Sequence, residues 1–231
     1  MHGGTGKPIK ARLPLWRRLG VRLGASFLLV TAVGIFLAGL LQYWSEQRVL
    51  RSAIGVVLLK VARTGAILID GQLHESVVKE GSRETVAYKN LRKILQQIQQ
   101  ANELTDPVYT LYDVHGNAAR FAVISEGDEA VGKEYLLAPE IRPILQRVME
   151  EGKAAYTDIY TNEHGTWFTA FAPIKSAGKT IAALDVDFRA GDVYVTELGR
   201  IRRNLYLYSL AGALLALGAG LVRELVPGAH G

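Results

Sequence analysis

The chain has 231 residues, 49% of them hydrophobic, and carries 27 Lys and Arg against 22 Asp and Glu for a formal charge of +5. It contains no cysteine, which excludes disulfide frameworks, thiolate metal sites, c-type haem attachment and cysteine nucleophiles. The basic excess sits at Lys7, Lys10, Arg12, Arg17, Arg18 and Arg22, a stretch without acids just ahead of an apolar segment. That placement is a topology signal and not a nucleic-acid footprint.

The first predicted element is that segment, residues 23–41, and a second like it spans residues 205–222; neither holds a charged side chain. At about 1.5 Å rise per residue, each crosses most or all of a hydrocarbon core of about 30 Å. The basic flank places residues 1–22 in the cytoplasm, so residues 42–204 form an extracytoplasmic domain and residues 223–231 return inside as a short tail. A cleaved signal peptide fits poorly: the apolar run is long, no small-x-small site follows it, and Tyr43 and Trp44 resemble an interfacial anchor. The expectation is a two-pass protein of the inner or plasma membrane.

Residues 43–80 continue as helix, with Ile54, Val57, Leu58, Val61, Ala62 and Leu68 at helical spacing; Lys60 and Arg63 argue against a third span. A second amphipathic helix carries Leu91, Ile94, Leu95, Ile98 and Ala101 on one face, and Asp106-Pro107 blocks its continuation. The period then changes. Residues 108–114 and 118–125 read as strands joined by a His115-Gly116-Asn117 turn. Ile141, Ile144, Leu145, Val148 and Met149 mark a helix from near Pro139 to Gly152, and three strands follow at 155–161, 166–174 and 180–188. This order predicts an α+β domain with one five-stranded antiparallel sheet covered by helices.

The run YTDIYTNEHGTWFTAFAPIKSAGKTIAALDVDF, from Tyr156 to Phe188, resembles the closing strands of the Cache superfamily, the extracytoplasmic PAS-like sensor domains of bacterial receptors. The upstream NLRKILQQIQQANELTDPVYTLYDVHG, from Asn90, is similar to that family's preceding helix and first strand, with Pro107 where an aromatic is common. The resemblance covers about residues 88–189. It implies a PAS-like domain with a long N-terminal helix that binds a small molecule outside and shifts two membrane helices. Family members run on from the second span into an output domain, whereas Arg223 is followed here by only eight residues that include Pro227 and Gly228. The expectation is therefore either a piece of a longer receptor or a sensor working through a cytoplasmic output protein. A ligand-free module that binds another protein is the alternative from a different class.

Positions matching the family's pocket are Tyr109, Tyr156, Asp158, Trp167, Thr169 and Asp187. Aromatic faces with one or two carboxylates suit a small amine or amino acid. The family's amino-acid signature, an arginine two residues before a tryptophan-tyrosine pair, is missing, since Gly165, Trp167 and Phe168 occupy those places. Each position also has an ordinary explanation: Trp167, Phe168 and Phe171 suit core packing, and Asp158 suits bonding to turn backbone. Asp185 and Asp187 must share one face of their strand, and if that face is buried they need donors or a cation.

Enzymatic signals are weak. His74, His115 and His164 are scattered, the glycines around Lys7 lack P-loop spacing, and no serine sits in a nucleophile elbow. No catalytic residue, metal site or cofactor is expected. Gly212, Ala216 and Gly220 form a small-residue stripe in the second span, with Gly34 and Ala38 doing the same in the first, which suits close helix packing in a homodimer.

Overall fold

The computed structural model describes residues 15–224; the remaining basic residues of the N-terminal tail and the end of the C-terminal one lie outside the described residues. The elements in order are α1 (Leu15–Ile67), α2 (Gly71–Glu80), α3 (Val86–Ala101), β1 (Tyr109–His115), β2 (Ala118–Ile124), β3 (Glu134–Leu136), α4 (Arg142–Glu151), β4 (Ala155–Tyr156), β5 (Tyr160–Asn162), β6 (Gly165–Ser176), β7 (Lys179–Arg189) and α5 (Asp192–Glu224). They fall into two units, residues 48–197 and the segments flanking them.

Residues 48–197 form an α+β unit around an antiparallel sheet ordered β3-β2-β1-β7-β6-β4, with β5 also on β6. The sheet has seven strands where five are expected. β3 lies in a stretch with no strand period, and the expected strand 155–161 is cut into β4 and β5 because Asp158 and Ile159 leave the ladder after Thr157, whose amide still donates to the Thr169 carbonyl at 2.9 Å. The long β6–β7 hairpin is the backbone of the sheet, paired from Trp167↔Arg189 to Ser176↔Lys179.

One sheet face carries the helices. The expected single helix over 43–80 is broken at residues 68–70, where Asp70 caps a new helix by accepting from the amides of Gln72 (2.8 Å) and Leu73 (3.2 Å). Gly71 is required there, because a Cβ would lie 2.2 Å from the Lys175 carbonyl oxygen. α3 begins at Thr85, whose hydroxyl accepts from Tyr88 N at 3.1 Å, and buries Tyr88, Leu91, Leu95 and Ile98. Each such apolar side chain contributes about 1.5–3 kcal/mol of burial. Ala101 belongs to the expected apolar face but is exposed in the last turn. Polar ties fix α2 and α3 to the sheet: His74 Nε2 to Thr110 Oγ1 (3.0 Å), and Ser125 Oγ donating to Gln99 Oε1 (2.6 Å) while accepting from Val108 N (2.9 Å). Burial lowers the His74 pKa to about 4, so the ring is neutral.

The opposite face is covered by α4. Pro143 opens this helix, Gly152 closes it in the left-handed conformation at φ 64°, and Ile141, Leu145 and Val148 point into the core.

α1 contains a segment, Ser26–Ile67, long and apolar enough to cross a membrane by length and composition, and it alone does so among the described residues. The expected second span lies in α5. Gly212 approaches Ala32, whose carbonyl oxygen would be 3.1 Å from an added Cβ, and Gly39 faces the Tyr208 ring. Tyr208 Oη donates to Gln42 Oε1 at 3.0 Å. Gly34 has open space around it and Ala38 is exposed, so in α1 the close approach falls to Ala32 and Gly39 instead. Ala216 is half-buried, and the surroundings of Gly220 lie outside the described residues.

Candidate functional site

The α4-side face of the sheet is where chemistry collects. Strand alternation puts Tyr109 of β1, Thr169 and Phe171 of β6, and Asp185 and Asp187 of β7 on that face, and the register sets Tyr109 and Phe171 beside Asp185 and Thr169 beside Asp187. Tyr109 Oη donates to Asp187 Oδ2 at 2.8 Å and Thr169 Oγ1 donates to Asp187 Oδ1 at 2.5 Å. Tyr160 of β5 extends the chain of hydroxyls, bonding Thr169 Oγ1 at 2.8 Å. Asp187 itself is half-buried, so the cluster is open to solvent at that residue.

Asp185 lies deeper, 0% exposed, and neither of its carboxylate oxygens has a hydrogen-bond partner. The nearby Tyr109 hydroxyl has a single proton, which goes to Asp187. Above the pair stand three aromatic rings in mutual contact: Tyr109–Phe121 at 5.2 Å, Tyr109–Tyr135 at 5.9 Å and Phe121–Tyr135 at 5.1 Å between centroids. Phe121 and Tyr135 are half-buried, so the ring cluster reaches the surface.

The electrostatics follow from burial. The Asp185 carboxyl is pushed well above the usual range, first by desolvation and then by the Asp187 charge. Asp187 is pushed up to about 6 by burial, held back by the hydrogen bonds from Thr169 and Tyr109. Burial, followed by the two carboxylates, raises the phenols of Tyr109 and Tyr135; for Tyr160 burial and Asp187 are the main causes. All three remain neutral donors at physiological pH.

Of the six sequence-derived positions, Tyr109, Thr169 and Asp187 meet directly. Trp167 shares their face but is 8% exposed; its Nε1 donates to Asn162 Oδ1 at 2.9 Å and the Arg189 guanidinium stacks on its ring at 4.7 Å. Tyr156 and Asp158 are not in the cluster. Tyr156 pairs with Ala170, one residue out of phase with Thr169 and Phe171, and its ring packs on Gly55 of α1 on the helix face. Asp158 is exposed, accepts from the Ile159 amide at 2.8 Å, and lies 3.8 Å from Arg51. The residues missed are Tyr160, Phe121 and Tyr135. Tyr160 is four residues beyond Tyr156, and the excursion of residues 158 and 159 between them resets the alternation; Phe121 was legible as an inward position of β2.

No family model matches the chain, and no curated protein matches it. Among solved structures, it is similar to the ligand-binding domain of the Campylobacter jejuni chemoreceptor Tlp3 in complex with 4-methylisoleucine, at 11% identity and a TM-score of 0.35, covering 77% of this chain and 63% of that one. It is also similar to the sensor domain of the V. cholerae histidine kinase DctB, at 11% identity and a TM-score of 0.39, covering 77% and 58%. A third likeness is to a type II free methionine-R-sulfoxide reductase from Thermoplasma acidophilum, at 14% identity and a TM-score of 0.34, covering 66% and 96%.

The chain thus spans about three fifths of the two receptor domains it matches. All three likenesses are distant, and the site stands on its own geometry.

A separate cleft of about 650 Å³ is lined by Arg63, Ile67, Lys153, Pro173 and Lys175 among others, and shares no lining residue with the carboxylate cluster. It is basic at its rim.

Proposed function

We propose that this chain is a Cache-type sensor that binds a small molecule on the α4-side face of its sheet and passes the signal along α1 and α5. The observation that carries this reading is Asp187, half-buried and held in a fixed orientation by Tyr109 and Thr169 beside a half-buried cluster of aromatic rings. A preorganised polar group beside apolar and aromatic side chains is the kind of surface that small-molecule recognition uses. Connectivity supports the output route. β7, which bears both aspartates, leads through Ala190 and Gly191 straight into α5, and α1 is one uninterrupted helix from its apolar segment into the sheet unit.

In this reading residues 23–41 and 205–222 both cross the membrane, residues 42–204 stand outside it, and both termini are cytoplasmic. Gly212 and its neighbours in the stripe pack helices, within one chain and in a homodimer, and a cytoplasmic output domain or partner receives the shift. The role is recognition, with any catalysis belonging to that output. Ligand acts by binding one helix arrangement better than another.

The test is thermal unfolding of the full chain in nanodiscs against amino acids, amines, carboxylates, purines and divalent metals. A ligand at about 100 times its Kd adds about 2.7 kcal/mol and a shift of several degrees. The expected result is a shift from one class that Asp187→Ala removes. Shifts from none would reject the sensor reading in favour of a protein-binding module.

A further inference from the structure

The cleft of about 650 Å³ lies away from the carboxylate cluster, between the end of α1, residues 152–154 and β6. In β6, Phe171 faces the carboxylates, so the neighbouring Ala172 turns to the other face, where α1 packs. The volume is in the range that small-molecule sites occupy. Its floor is apolar and buried: Ala66 of α1, Ile69 just beyond that helix, and Ala172. Its rim is cationic, formed by Arg63, Lys153 and Lys175, and no acid is among the described residues that line it.

The acids nearby in sequence are committed elsewhere. Asp70 caps α2 through the amides of Gln72 and Leu73, Glu75 accepts from Ser176 Oγ at 2.8 Å, and Glu151 lies 4.0 Å from Lys153. Among the described residues, Arg63 and Lys175 are thus left without a carboxylate partner. Lys175 stands at the wall of the cleft. Its Nζ is 3.3 Å from the place a Cβ on Gly152 would take, so any side chain at 152 would crowd the ammonium.

We infer that this cleft binds a small organic dianion, a free phosphate monoester or dicarboxylate. Its negative charge meets Arg63 and Lys175, and its carbon body lies on Ala66, Ile69 and Ala172. Both halves of that chemistry are needed. An inorganic anion leaves the apolar floor in water, and a neutral apolar molecule leaves the two cations unpaired. Organic cations are repelled by the rim. The guanidinium of Arg63 offers a planar fork matched to carboxylate or phosphate oxygens, and the Lys175 ammonium adds a point charge. This site is independent of the α4-side one, with which it shares no residue.

The experiment is isothermal titration of the full chain in nanodiscs of zwitterionic lipid, which adds no competing anionic headgroup, at about pH 7.5, where a phosphate monoester is mostly dianionic. The probes are phenyl phosphate, adipate, inorganic phosphate, butyrate and hexylamine. Phenyl phosphate, adipate or both are expected to bind, and which of them does so names the anionic group. Inorganic phosphate lacks the body and butyrate lacks one charge, so each is expected to bind at least about tenfold more weakly, and hexylamine not at all. Arg63→Gln and Lys175→Gln are each expected to weaken the bound dianion about tenfold, and the double variant about a hundredfold. Both side chains are exposed, so the variants keep the fold. Lys93→Gln removes an exposed charge outside the cleft and is expected to leave that binding within about twofold. An equal loss in Lys93→Gln would reduce the effect to net charge and overturn the inference. So would silence from both dianions, equal affinity for inorganic phosphate, or binding that survives the double variant.

Discussion

At the scale of residues, the site is organised by one hydroxyl proton. Tyr109 gives it to Asp187, which fixes that carboxylate and leaves Asp185 without a donor. Tyr109→Phe is therefore expected to cost about 1–2 kcal/mol and to raise the Asp187 pKa further, as read by denaturation at pH 7 and by carboxyl NMR titration. The pH dependence has a defined sign. Asp187 ionises near 6 in the folded chain against 3.8 as its ordinary value, so between those values the folded state holds more protons than the unfolded one. Its contribution to stability is present below about 4 and is lost as pH rises through about 6. Comparing the stabilities of the parent and Asp187→Asn at pH 5 and pH 7 checks this: the variant is expected to gain relative to the parent at the higher pH. A relative loss there would mean that the carboxylate is stabilised in its charged form. Of these features, the shared face of Asp185 and Asp187 was legible, because strand alternation places residues two apart on one side. Tyr135 was not, since a three-residue strand offers no period to read.

Secondary elements here are set by a few local devices. Asp70 starts α2, Thr85 starts α3 and Gly152 ends α4; Gly152 is read in the sequence as a helix stop, whereas Asp70 lies inside the stretch expected to be one helix. Thr85→Ala is expected to lower stability by about 1 kcal/mol. Gly71 is different, because the demand on it comes from across the fold. Its missing side chain makes room for the Lys175 carbonyl of β6, so Gly71→Ala is expected to cost about 1–3 kcal/mol through displacement of α2, seen as a lower denaturation midpoint with an unchanged slope. The division of residues 155–161 into β4 and β5 belongs to this scale as well. Their composition favours strand throughout, and only the competing pairing of each end with β6 shows that the middle leaves the sheet.

For the molecule as a whole, the proposed topology makes the sheet unit extracytoplasmic. The absence of cysteine makes the test direct. Lys179, exposed in the β6–β7 hairpin, offers a site: Lys179→Cys is expected to react with a membrane-impermeant maleimide in intact cells. Labelling only after permeabilisation would reverse the orientation. Gly212→Leu should separate α5 from α1 at Ala32 and alter the signalling balance without changing ligand affinity in the isolated site. By itself, the sequence determined the apolar stretches, the α+β order, the long hairpin and the shared face of Asp185 and Asp187, because these rest on local periodicity, charge and turn chemistry. Only the tertiary structure decided that Asp185 is orphaned, that Tyr160 and not Tyr156 joins the hydroxyl chain, and that Phe121 and Tyr135 pack on Tyr109. Those depend on register between strands distant in sequence, where a shift of one residue sends a side chain to the other face.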